Sequence, residues 1–178
     1  MSTIAPPPPV MEFDDAYAIA IQVEGRVDTF TDLTTLFEVL NELEAAYIDV
    51  MSKHPDERVV KQVRQGQVLE LHRHSPLEIV IDYAPYYLGI VYLFLKDYSA
   101  VKAGAAEFAR DVRGFLDTVQ EGVEPWKEPV ATAIVEAVLA YVEIANDGGK
   151  ALMDRLRAIR DKIKDKFQID VRVEELST

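Results

Sequence analysis

The chain has 178 residues, of which 49% are hydrophobic and 28% are charged, and its formal net charge is −12. This composition is typical of one folded domain and excludes a largely disordered chain. The acidic excess argues against a nucleic-acid partner, because phosphate binding needs clustered Lys and Arg. The absence of cysteine excludes disulfides, thiolate metal sites and cysteine nucleophiles, and it is compatible with a reducing cytoplasm.

The chain opens on a proline-rich segment. Residues 6–9 are consecutive prolines, which favour a polyproline II conformation without internal hydrogen bonds. The segment lacks the basic start and the apolar stretch of a secretory signal. We predict a disordered arm over residues 1–13 and a single α+β domain over residues 14–178.

The periodicity of the next segments predicts two strands and a helix. Apolar residues alternate over residues 17–24, as in a half-buried strand, and they repeat at helical steps over residues 31–52. Residues 68–73 alternate again and predict a middle strand. Residues 58–64 are either its hairpin partner, which we favour, or one or two helical turns that end at Gly66.

Residues 75–78 have the sequence Ser-Pro-Leu-Glu, which is typical of a helix start. Ser75 suits the N-cap, Pro76 suits the first helical position, and Glu78 completes a capping box. These groups satisfy the backbone N–H donors that the first turn of a helix leaves without partners. We therefore predict that a helix begins here.

The segment that follows, residues 77–95, is almost entirely apolar or aromatic. Its interruptions are Glu78, Asp82, Pro85 and Gly89. Helical periodicity continues beyond it to about residue 119, so we predict one long central helix. Pro85 either kinks this helix or restarts it, because proline has no N–H and crowds the preceding turn; Asp82 is a candidate cap for a restart.

The last third of the chain predicts two further helices, over residues 128–146 and 150–166, and a final strand over residues 169–174. The predicted fold is α+β. A small sheet combines the N-terminal, middle and C-terminal strands, and about four helices lie on one of its faces.

Chemistry-bearing motifs are sparse. His72 and His74, with Glu70 on the same strand face, have the spacing of a metal-ligand pair, but an exposed polar face is the favoured interpretation. Residues 147–150, Asp-Gly-Gly-Lys, lack the hydroxyl residue of a phosphate-binding loop and predict a turn between helices. We assign no catalytic, cofactor-binding or metal-binding residue.

The apolar segment 77–95 is the feature that asks for a functional explanation. It has three interpretations: burial within its own domain, burial against other copies of the chain, and membrane insertion or surface binding. A charge at the bilayer centre is costly, which makes Asp82 hard to reconcile with a spanning helix. The candidate interface residues are Tyr83, Tyr86, Tyr87, Leu88, Tyr92 and Phe94.

Residues 68–79 carry a resemblance. A strand that leads into Ser-Pro-Leu-Glu and then into an apolar helix resembles small uncharacterised bacterial proteins, and the strand and helix of residues 17–52 fit the same layout. The resemblance covers the first half of the chain and implies a helix that is often membrane-like. This chain departs from it by placing Asp82 and Pro85 inside the apolar segment, and the resemblance carries over no activity.

These observations lead to a functional hypothesis. We predict a non-enzymatic, cytoplasmic bacterial protein that forms a homo-oligomer or docks on a protein partner through residues 77–95, without a cofactor. The alternative is a membrane-associated effector or anchor that inserts the same segment. A third option is an enzyme whose site has no recognisable motif.

Overall fold

The computed structural model describes residue 3 and residues 17–73, 76–82, 85–96, 104–119, 123–144, 146 and 148–175. Over these ranges the chain forms an antiparallel four-stranded sheet and six helices, which confirms the predicted α+β class. The predicted arm, residues 1–13, lies outside the described residues except at Thr3.

The sheet joins the three predicted strands and one that was not predicted. Its strands are β1 (Tyr17–Gly25), β2 (Gln67–His72), β3 (Leu77–Asp82) and β4 (Phe167–Glu175), in the order β2-β3-β1-β4. The strands β1 and β3 are therefore central, and β2 and β4 are the two edges. The predicted strands over residues 17–24, 68–73 and 169–174 are confirmed.

One face of the sheet packs against the helices. Ile19, Ile21 and Val23 of β1 lie on this face and belong to the main hydrophobic core. Their partners on β3 are Ile81, Ile79 and Leu77, which share the face because side chains alternate along a strand.

The opposite face is more polar. Ala18, Ala20 and Val80 form a separate small buried cluster there. Glu78 lies on the same face, where its Oε2 accepts hydrogen bonds from Gln22 Nε2 at 2.9 Å and from Arg172 Nη2 at 2.8 Å.

Helix α1 (Phe30–Met51) confirms the predicted helix and begins at a capping box that the sequence analysis did not identify. Thr29 Oγ1 accepts from the Asp32 N–H at 3.1 Å, and Asp32 Oδ2 accepts from the Thr29 N–H at 3.3 Å. Both bonds satisfy donors that the first turn of a helix leaves free.

Helix α2 (Glu57–Val60) shows that the favoured hairpin over residues 58–64 is wrong and that the helical alternative holds. The physical reason lies in Asp56, the N-cap residue, whose Oδ1 accepts from the Arg58 N–H at 2.9 Å. A side chain that caps a helix at this position stabilises a turn of helix over an extended strand.

The helix start predicted at residues 75–78 is also wrong, because Leu77 to Asp82 form the strand β3. The β-branched run of Ile79, Val80 and Ile81 favours a strand, and five residue pairs with β1 hold it there. Glu78 therefore lies on a sheet face instead of closing a capping box, and Ser75 lies outside the described residues.

The long central helix is accordingly replaced by separate elements. A turn at Pro85 follows β3, and helix α3 (Tyr87–Leu95) begins after this turn. Pro85 therefore lies just before the start of a helix and does not kink one. Asp82 does not cap this restart; its Oδ1 accepts from the Gln67 N–H at 2.6 Å. Lys96 has an extended backbone that ends α3, and α4 (Ala105–Thr118) is a distinct helix.

The last helices agree with the sequence. Helices α5 (Lys127–Ile144) and α6 (Gly148–Asp161) confirm the two predicted helices, although α6 ends earlier than residue 166. Helix α5 packs along α4, where Arg113 Nε lies 2.9 Å from Glu128 Oε2.

Candidate functional site

The residues predicted to form an interface lie inside the chain. The described members of that set are Tyr86, Tyr87, Leu88, Tyr92 and Phe94, and Tyr83 lies outside the described residues. Each of these five side chains is at most 3% exposed. Another molecule cannot contact these side chains while α3 keeps its place. Self-association itself stays a prediction.

Helices α1, α4 and α6 pack around α3, and the side chain of Ile134 on α5 packs against Gly89 of α3. The ring of Tyr87 meets the ring of Tyr47 edge-on at 5.6 Å, and the ring of Tyr92 lies 5.0 Å from that of Phe115. Burial raises the pKa of Tyr86 to about 12, so its phenol stays protonated at neutral pH. The interpretation of this segment as core of its own domain is the one that the structure supports.

Exposed apolar side chains gather instead at the β2 edge of the sheet. Val68 is 65% exposed, Leu71 46% and Leu69 43%, and Phe37 on the neighbouring flank of α1 is 44% exposed. Single exposed apolar residues are ordinary, but a contiguous group of them marks interaction surfaces. This group is therefore our candidate site.

A β-bulge brings two of these side chains onto one face. The pairing of β2 with β3 shifts register between Val68 and Glu70, so that Val68 lies opposite Ile81 and Leu71 lies opposite Ile79. Strict alternation would have placed Val68 on the same face as Glu70; the extra residue moves it to the face of Leu71. Both side chains consequently lie on the side of the sheet that α1 packs against.

A trough runs between β2 and α1, and we call it the β2 groove. It encloses a cavity of about 150 Å³. Its main apolar lining residues are Phe37, Leu40, Val68, Ile79, Ile81 and Tyr87. Apolar lining and partial enclosure are the usual properties of a binding groove.

A more polar cavity lies beyond each end of the β2 groove. At the amino end of α1, a cavity of about 360 Å³ is lined by Leu33, Arg26 and Arg73, among others. Towards the carboxyl end of α1, a cavity of about 350 Å³ shares Asn41 and Glu44 with the β2 groove. The whole trough thus follows one flank of α1.

His54 is a buried titratable side chain outside this trough, with 6% exposure. Its Nδ1 accepts from the Asp56 N–H at 2.9 Å, so the ring proton of the neutral form sits on Nε2, which lies 3.4 Å from Glu136 Oε2. Burial lowers the pKa of His54, and the nearby Glu136 carboxylate only partly opposes this effect. We therefore interpret His54 as a neutral side chain with a structural role, which connects the end of α1 to α5.

The remaining motifs do not assemble into a site among the described residues. His72 Nε2 lies 2.8 Å from Glu70 Oε2, as their shared strand face predicts, whereas His74 lies outside the described residues. No group of three or more His, Asp or Glu side chains there has the arrangement of a metal site. Gly148 and Lys150 lie in the first turn of α6, and Lys150 is exposed.

Comparisons with protein-family models, with curated proteins and with solved structures found no match to this chain. Within the described ranges, no helix has the length and apolar character needed to cross a membrane.

One pattern in the sequence could have indicated this site. Val68, Leu69 and Leu71 place apolar residues on both faces of a short strand, whereas a half-buried strand has polar residues on one face. Such a pattern indicates a strand with apolar surface left over. Phe37 gave no signal, because its helical spacing matches that of the buried residues of α1.

Proposed function

We propose that this chain is a non-enzymatic docking protein whose β2 groove holds an extended segment of a partner protein. The observation that carries the proposal is the cluster of exposed apolar side chains beside a sheet edge: Phe37, Val68, Leu69 and Leu71. Covering half-exposed side chains of this size contributes about 1 kcal/mol each, so the contact is expected to be reversible and of micromolar affinity.

The outer edge of β2, which no described strand covers, supports an extended occupant. Strand β2 pairs with β3 on one side, and all six of its residues are exposed. An extended peptide can add to such an edge through backbone hydrogen bonds while its alternate side chains enter a neighbouring groove. In this chain the β2 groove lies directly beside that edge.

The same strand carries features that limit indiscriminate pairing. The bulge between Val68 and Glu70 interrupts its ladder, and Glu70 and His72 place polar side chains along it. Bulges and charged residues protect natural sheet edges from aggregation. This combination favours a specific partner over indiscriminate strand pairing. That partner can be a second copy of the chain.

We infer a bacterial, cytoplasmic setting for this docking protein. The cysteine-free composition and the local resemblance of residues 68–79 support this inference.

The proposal is tested by selecting phage-displayed random linear peptides on the immobilised full chain. We expect peptides with alternating apolar residues to be enriched. Synthetic copies should bind wild type with micromolar Kd in fluorescence polarisation, and Val68→Asp combined with Leu71→Asp should weaken binding about tenfold or more, because it places two charges in the apolar surface.

The matched control is Ile144→Asp, which changes a 65% exposed apolar residue at the end of α5. This variant should bind the peptides as wild type does. Failure to select any peptide, or equal binding to the β2 double variant, would overturn the proposed function. Circular dichroism establishes that each variant keeps its fold.

A further inference from the structure

We propose that the segment held in the β2 groove carries an acidic residue at the end that lies beside Arg26 and Arg73. The inference rests on the proposed function and adds the charge pattern and direction of the bound segment. It concerns the cavity of about 360 Å³ at the amino end of α1, which we call the basic notch.

The basic notch lies at the end of the sheet where β1 and β2 both finish. Arg26 follows Gly25, the last residue of β1, and Arg73 follows His72, the last residue of β2. Strand β3 begins between them, because Leu77 pairs with Val23 on one side and Glu78 pairs with His72 on the other. The topology thus brings two arginines that are 47 positions apart (73 − 26) to one cavity.

The two guanidinium groups differ from most arginines of the chain in their partners. Arg58, Arg64 and Arg113 have carboxylate partners at 2.8, 3.2 and 2.9 Å. Over the described part of the chain, neither Arg26 nor Arg73 forms an ion pair. Both are exposed, so each guanidinium is available to a carboxylate.

The charge of the surroundings makes this notch unusual. The chain has a formal net charge of −12, and Asp28 lines the same cavity and offsets one of the two positive charges. A cavity with a net positive lining favours a carboxylate over an ammonium group.

The notch and the β2 groove are neighbours along both α1 and β3. Leu33 of the notch and Phe37 of the groove are one helical turn apart on α1, and Leu77 of the notch lies two residues before Ile79 of the groove. At about 3.3 Å per residue, the four residue steps from Leu77 to Ile81 span about 13 Å. An acidic residue is therefore expected within about two to four positions of the apolar residues of an extended segment.

The other end of the trough has the opposite charge. Glu44 lines both the β2 groove and the cavity beyond it, and its Oε2 accepts from the Gly66 N–H at 3.3 Å. An acidic residue placed at that end would meet a carboxylate, which is unfavourable. The charges of the trough consequently fix the direction in which the segment binds.

The experiment repeats the peptide selection on the full-length double variant Arg26→Glu, Arg73→Glu in parallel with wild type. Peptides selected on wild type should carry Asp or Glu on one side of their apolar residues, whereas those selected on the variant should lose this preference. A synthetic wild-type-selected peptide should bind the variant about 5- to 10-fold more weakly. Its binding to wild type should also weaken in 0.5 M NaCl, and a peptide with Gln in place of the acidic residue should bind with little dependence on salt.

The control variant, Arg110→Glu combined with Lys150→Glu, makes the same change of net charge on exposed positions of α4 and α6. It should bind the peptide as wild type does. The inference is overturned if the peptides bind through Val68 and Leu71 but show no acidic preference, or if the control variant weakens binding equally. If no peptide binds through the β2 groove, the proposed function is overturned together with this inference. If peptides bind through the groove but show no acidic preference, only this inference is overturned.

Discussion

Burial at His54 gives the chain a site where protonation opposes folding. The ring is buried between the end of α1 and α5, with Asp56, Glu136 and the backbone of Ala133 around it. Its pKa is lowered from 6.5, mainly by loss of solvation. As pH falls below about 6.5, the unfolded chain takes up a proton that the folded chain resists, so the free energy of unfolding decreases.

We predict that His54→Gln flattens this dependence. Between pH 7.5 and 5.5, wild type should lose up to about 1.4 kcal/mol more of its free energy of unfolding than the variant does, because only wild type carries the histidine. Urea unfolding, followed by the fluorescence of Trp126, measures the difference at each pH. An equal slope in wild type and in His54→Gln would contradict the account.

Gly89 permits the close approach of α3 and α5. A Cβ atom on Gly89 would overlap the side chain of Ile134, with Cγ1 only 2.9 Å away. We predict that Gly89→Ala lowers the free energy of unfolding by about 1–3 kcal/mol despite the better helix propensity of alanine. In an Ile134→Ala background the same change should cost less, because the space is then free.

Gly114 is the matched control for this prediction. It lies in the exposed part of α4, and a Cβ atom there would meet nothing within 4 Å. Gly114→Ala should therefore raise the free energy of unfolding by about 0.5–1 kcal/mol. If both glycine variants behaved alike in urea unfolding, steric contact with Ile134 would not explain Gly89.

At the scale of elements, α3 is the centre of the core. We predict that Tyr87→Ser lowers the free energy of unfolding by about 3–5 kcal/mol, because it removes a fully buried aromatic ring packed against Tyr47. Phe37→Ser, which removes a 44% exposed ring from α1, should cost less than about 1.5 kcal/mol. If Tyr87→Ser kept the wild-type stability but formed a smaller assembly by light scattering, α3 would instead be an interface between copies of the chain.

The elements that the sequence predicted correctly are those with a complete local pattern. Strand β1 shows alternation, and α1, α5 and α6 show helical spacing along most of their lengths. Strand β3 was missed because Ser75, Pro76 and Glu78 match a local helix signal, whereas the pairing of Ile79 and Ile81 with β1 is a contact between distant positions. A local signal gives way when non-local burial favours another state.

The candidate site was predicted less well than the fold, for a related reason. Aromatic and aliphatic composition drew attention to residues 77–95, but composition does not reveal which apolar segment the other helices cover. Exposure at Val68 and Phe37 depends on two conditions that no local pattern contains: β2 is an edge of the sheet, and no described helix covers that edge. The bulge that turns Val68 towards the groove likewise belongs to the pairing with β3.

At the scale of the whole molecule, the described part of the chain combines a packed hydrophobic interior with a polarised trough along α1. The interior contains α3 and the helix-facing side of the sheet, and the trough follows α1 from Arg26 and Arg73, past Phe37 and Val68, to Glu44. Apolar contacts in the middle supply affinity, and charges at the ends supply direction. On this account the interior does not need to rearrange for the chain to bind a partner.

Hydrogen exchange of the full chain, with and without a saturating peptide selected on it, tests this account most directly. The account predicts that the amides of residues 67–72 in β2 become protected when the peptide is bound, because the free edge gains a neighbouring strand. The amides of residues 87–95 in α3 should exchange slowly in both samples, as expected of a core helix. Rapid exchange in α3 that the peptide slows, with no change in β2, would contradict the account.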